Sequence, residues 1–202
     1  VVPAVTAAIA GAWYKTRKSE LDASVKMRML EMGMSADDIV RVLNDRDDSP
    51  LYTDIKLLGV GRGSVAQAPL AQELKKLFQS DGFGGPRKTQ DFHDEAKRFF
   101  VNYFKQIAVV FGAAWNGRKY SIKSSTALRA FIRVAPDVVR RLDEEHVERT
   151  DFRAIGRVIA PWGHRIGDLR FETLGAWGKG TTVDGLTKEL RLALHYPEGA
   201  MG

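Results

Sequence analysis

The sequence predicts a mainly α-helical domain, built around one long central amphipathic helix and holding at most a short strand or two. Two observations carry that expectation. Apolar residues from Phe92 to Ala114 recur at helical spacing, and the rest of the chain is punctuated by helix start and stop residues. Against these, a single short run, residues 54–58, reads as a strand. The chain is expected to divide into an N-terminal helical segment, residues 1–46, and a helical domain, residues 47–202.

Taken in order, residues 5–32 are helix-forming and free of proline, and Gly33 suits the left-handed residue that ends a helix. Ser35 is placed to cap the next helix, with Asp37 and Asp38 in its first turn and Ile39, Val42 and Leu43 on one face. The opening "VVPAVTAAIAGAWY", followed by Lys15, Arg17 and Lys18, has the pattern of an anchor stub. It is too short to cross a bilayer, so a buried helix is the expectation and no membrane partner follows unless the N-terminus is truncated. "DIKLL" is the short strand, and Gly59, Gly61 and Gly63 follow it. That G-x-G-x-G lacks the rest of a dinucleotide fingerprint and is expected to be a turn.

"LAQELKKLF" reads as a short amphipathic helix and "QSDGFGGPRKTQD" as a loop. The long helix then starts near Thr89 or Asp91. Phe92, Ala96, Phe99, Phe100, Tyr103, Phe104, Ile107 and Phe111 form its inward stripe, and Asn116-Gly117 stops it. "SIKSSTALRAFIRV" is a further helix, and Pro136 is expected to end it and open another, "PDVVRRLDEE", from a first-turn position. "RTDFRAIGRVIAPW" gives a short helix, and "GLTKELRLAL" a terminal one.

There is no cysteine, which excludes disulfides, thiolate nucleophiles and thiolate-bound metals and fits a reducing cytoplasm. His93, His146, His164 and His195 are far apart and lack metal-ligand spacing, so no metal is expected. "GAWGKGTT" resembles a phosphate loop in composition, through Gly178, Lys179 and Gly180. The lysine precedes the glycine it should follow, so an ATP site there is the lesser expectation.

Charge is the more informative feature. The net charge is +6, and residues 87–170 hold 17 Lys/Arg against 10 Asp/Glu while the segments on either side are near balance. Between Arg118 and Arg141, seven cations face only Asp137. A localised excess of this kind suits a polyanion. Lys123, Arg129, Arg133, Arg140 and Arg141 are the expected phosphate contacts. Because Arg133 and Arg140 are read as lying off the apolar stripe, charge reversal at both is expected to spare the fold.

Four stretches occur in an order that resembles a known family: "VLNDRDDSPLYTDIKLLG", "AQELKKLF", "FFVNYFKQIAVVFGAAW" and "YSIKSSTALRAFIRV". "WGKGTTVDGLTKEL" extends the likeness. Over residues 38–190 the chain resembles the C-terminal half of DGQHR-domain proteins, which include the accessory protein of DNA phosphorothioation (Dnd-type) systems. The motif that names the family is absent, as expected if it lies upstream of Val1, and "WGHR" at 162–165 is not that motif. The resemblance implies a DNA-binding or regulatory accessory module of a DNA-modification or defence system, acting with other proteins of that system and needing no cofactor. Two alternatives stay open. One is an ATP-using enzyme subunit whose glycine loops hold phosphate, and the other is a protein-interaction or membrane-tethered helical module.

Overall fold

The computed structural model describes residues 49–51, 54–56, 63, 65–79, 90–117, 120–166 and 182–195. All of them fall in the compact unit Ala36–Gly202. Among them the architecture is mainly helical, with one two-stranded sheet. The expected helices before residue 47, the anchor-like stretch, Gly59, Gly61 and the loop from Gly175 to Thr181 lie outside the described residues.

The strands β1 (Ile55–Lys56) and β2 (Val65–Ala66) run parallel, with Ile55 opposite Val65 and Lys56 opposite Ala66. Val65 N–H donates to Asp54 C=O at 3.0 Å. Gly63 explains part of the glycine cluster. A Cβ there would lie 2.5 Å from Asp54 O and Ile55 C, so the chain can press flush against β1 only without a side chain.

Helix α1 (Gln67–Gln79) turns Leu70, Leu74 and Leu77 inward at a spacing of four and three. Helix α2 (Gln90–Phe111) buries the whole expected stripe from Phe92 to Phe111, and Phe99, Phe100, Tyr103, Phe104 and Ile107 are fully enclosed. The expected helix to Ala114 is interrupted one turn early. Gly112 adopts φ +48°, which a residue with a Cβ rarely does, and the short α3 (Ala113–Asn116) then buries Ala114 and Trp115.

Helix α4 (Ser125–Glu144) is capped by Ser124, whose hydroxyl accepts from Ala127 N–H at 3.2 Å. Pro136 does not divide it, contrary to expectation, and the helix continues through the proline. Proline removes one N–H from the ladder and crowds the preceding turn, which weakens carbonyl satisfaction there. Tertiary donors reach the carbonyls on either side of Ile132, the residue whose carbonyl the missing N–H would have served. The buried Tyr103 hydroxyl donates to Phe131 C=O at 2.8 Å, and Arg191 Nη2 reaches Arg133 C=O at 3.4 Å.

Helix α5 (Phe152–Ile159) starts at Asp151, whose carboxylate accepts from Ala154 N–H at 2.7 Å. It packs on α2, where Asn102 and Gln106 donate to the carbonyls of Thr150 and Phe152, each at 2.8 Å. Helix α6 (Pro161–Arg165) inserts the fully buried Trp162, which stacks on Phe131 at 5.7 Å and donates from Nε1 to Leu190 C=O at 3.0 Å. The last helix, α7 (Val183–His195), begins at Thr182, whose hydroxyl accepts from Gly185 N–H. Both α1 and α7 pack on α4, one to each side of a gap.

Candidate anion-binding cleft

That gap is a cleft of about 640 Å³. Its floor is Arg133 and Pro136 of α4, one wall is Glu73, Lys76 and Leu77 of α1, and the other is the face of α7 from Asp184 to His195. Helical spacing explains the α7 wall: Asp184, Thr187, Lys188, Arg191, Leu192 and His195 fall at i, i+3, i+4, i+7, i+8 and i+11, one face of a helix.

At its base is a buried carboxylate. The Glu73 side chain is only 2% exposed, because it stands on the inward face of α1 among Leu70, Leu74 and Leu77. Two arginines one helical turn apart on α4 enclose it. Arg129 donates from Nη2 and Nε to one oxygen at 2.7 and 3.1 Å. Arg133 donates from Nε to the other at 2.8 Å and from Nη2 to the first at 2.9 Å. Lys76 adds a longer contact of 3.7 Å from the solvent side. The hydrogen bond from Arg133 does most to hold the Glu73 pKa down at about 2, against the opposing effect of burial, and Arg129 adds to it. The same pair raises Arg133 above the usual arginine value.

Arg133 has a third commitment, as its Nη1 donates to Asp184 of α7. One guanidinium therefore links all three helices of the cleft. Above it, Asp137 accepts from Arg140 at 2.6 Å and from Arg191 at 2.7 Å. Five cations thus draw on three carboxylates, Glu73, Asp137 and Asp184, and several share one. Lys188 lines the cleft as a sixth cation and has no carboxylate partner among the described residues. Counted over the described residues, these six cations exceed the three carboxylates even with every ion pair formed.

The five expected phosphate contacts are dispersed by this arrangement. Arg129 and Arg133 sit side by side but face a buried carboxylate, not open solvent. The expectation that charge reversal at Arg133 spares the fold is therefore corrected: it would set a carboxylate against buried Glu73. Arg140 does not line the cleft; it is more than half exposed and shares Asp137 with Arg191, which does. Arg141 reaches Glu144 at 4.0 Å and does not line the cleft. Lys123 is elsewhere, bonded to Asp54 at 2.9 Å and 5.2 Å above the Trp115 ring. Gly178, Lys179 and Gly180 lie outside the described residues.

Sequence reasoning missed Glu73, Lys76, Asp184, Lys188 and Arg191. The signal for Glu73 was present as an acid inside the Leu70, Leu74, Leu77 pattern, facing an Arg-x-x-x-Arg pair elsewhere. Which two helices would meet was not encoded locally. Among the described residues no group of three or more His, Asp or Glu is arranged to hold a metal ion, and no helix is long and apolar enough to cross a membrane. No protein-family model, curated protein or solved structure matches the chain.

Proposed function

We propose that the domain is a DNA-contacting accessory module, and that it engages duplex phosphates along the cleft between α1, α4 and α7. One observation carries this reading: among the described residues six cations, Lys188 included, gather around three carboxylates, so a positive excess is left after every ion pair between them is made. Arg140, Arg191, Lys188 and Lys76 are exposed and make the contacts. Arg129 and Arg133 hold the scaffold. The resemblance to DGQHR-domain proteins points the same way, toward a DNA-modification or defence system. Phosphate contacts position a duplex without reading its sequence, so the module supplies affinity and leaves target choice to another element.

The test is a titration against a short random-sequence duplex at several salt concentrations. Each neutralised phosphate contributes about −0.9 to the log–log salt slope, so four contacts give a slope of about −4. Lys188→Glu should weaken binding to every sequence alike and flatten the slope. Absence of binding at micromolar protein in low salt overturns the proposal.

A further inference from the structure

We infer that the cleft contains a preformed phosphate subsite at Arg133 Nη1, and that the Asp184 carboxylate occupies it as an internal competitor. The inference rests on the DNA-contact reading and adds to it a specific atom and a mechanism of control.

Two carboxylates bind Arg133, and their surroundings differ sharply. Glu73 is 2% exposed and holds two edges of the guanidinium, Nε and Nη2, from within the protein. Asp184 is 86% exposed and holds the remaining nitrogen, Nη1, from the solvent side of the cleft. The first contact orients the guanidinium and cannot be replaced by a ligand without opening the helix packing. The second is a contact with a solvated side chain, and pairs of that kind contribute between nothing and about 1 kcal/mol. A phosphate oxygen matches the position that the Asp184 oxygen fills, since guanidinium binds carboxylate and phosphate by the same donor geometry. Lys188 and Arg191 stand on the same face of α7, within the lining of the same cleft, to receive the remaining charge. Asp184 therefore holds Arg133 Nη1 back from phosphate, and the contact becomes available when that carboxylate is removed.

The experiment compares duplex binding by the wild type, Asp184→Asn and Glu189→Gln. The last removes the same charge from α7 at a position outside the cleft lining. Freeing Nη1 adds one charge-assisted contact, so Asp184→Asn should bind about tenfold more tightly, with a salt slope steeper by about 1. Glu189→Gln should stay within about twofold of wild type, as expected for a screened charge away from the contact. Asp184→Ser, which keeps a residue suited to a helix start, should reproduce the gain and guards against a folding defect in the first variant. If the wild type binds and both Asp184 variants match Glu189→Gln, Asp184 is only one more surface charge, and this inference falls while the DNA reading stands. If neither the wild type nor the Asp184 variants bind, both fall.

Discussion

The aromatic core around α2 and the ion cluster at the base of the cleft both rest on buried side chains, and they are stabilised in opposite ways. In the core, many rings share the work. Phe99 stacks on Tyr103 at 5.4 Å, Phe131 on Trp162 at 5.7 Å, and the few polar atoms end on backbone carbonyls. In the cleft one residue is indispensable: Arg129, Arg133 and Lys76 all converge on Glu73. The core is held by redundancy. The cleft depends on a single carboxylate, whose removal strands two arginines at once.

Four measurements would break or sharpen that contrast. The largest effect belongs to the core: Phe104→Ala should cost roughly 3–5 kcal/mol by transfer and cavity formation, read as a lower denaturation midpoint. A mutant that melts within a degree or two of wild type would show that the stripe is not packed as described. Glu73→Gln should follow, at about 3 kcal/mol near neutral pH, the linkage value of a carboxyl moved from 4.5 to about 2. The half-exposed arginines bring part of that within reach of solvent screening. The sign is fixed by the lowered pKa. The contribution is whole above pH 4.5 and is lost as pH falls toward 2, so the stability gap between wild type and Glu73→Gln should close over that interval. A gap independent of pH would mean that shape, not charge, is what the variant disturbs.

Tyr103→Phe is smaller, at about 1–2 kcal/mol, because it keeps the ring and removes only the donor to Phe131 C=O. Burial pushes the Tyr103 phenol well above its ordinary value, so the absorbance titrations of wild type and Tyr103→Phe should coincide while the protein is folded, the signal coming from the other four tyrosines. Arg140→Ala should be the mildest. Its exposed contact with Asp137 is worth about 0.5 kcal/mol or less to stability, so a loss of DNA affinity with unchanged melting would separate binding from folding at this residue.

The two regions were also unequally legible in the sequence. Periodicity located the α2 stripe residue by residue, because an amphipathic pattern is a local property of one segment. The cleft is a relation between segments distant in the chain. Arg129 and Arg133 were visible as a pair, yet the acid they bind lies 56 and 60 residues earlier. A glutamate in a helix ordinarily faces water, so although its spacing from Leu70, Leu74 and Leu77 puts Glu73 on the inward face, the cations that let it stay there were not legible in "AQELKKLF". The same limit applies to Pro136, where the rule that proline interrupts a helix is local and the packing of α4 against its neighbours, with donors from α2 and α7 beside the proline, is not. Gly63 is an intermediate case: the need for glycine was readable, and its cause, the backbone of β1, was not.

The unbroken course of α4 through Pro136 has a consequence for how the domain assembles. Excised as a peptide, residues 125–144 would fray at the proline, since a short helix in water is marginal even without such a defect. Within the domain the turn before Pro136 gains contacts that the peptide lacks, from Tyr103 to Phe131 C=O and from Arg191 to Arg133 C=O. Secondary structure in this helix is thus conditional on tertiary docking. Amide exchange from the turns flanking Pro136 should therefore track global unfolding and show no separate local opening, with α2, α4 and α7 behaving as one cooperative unit.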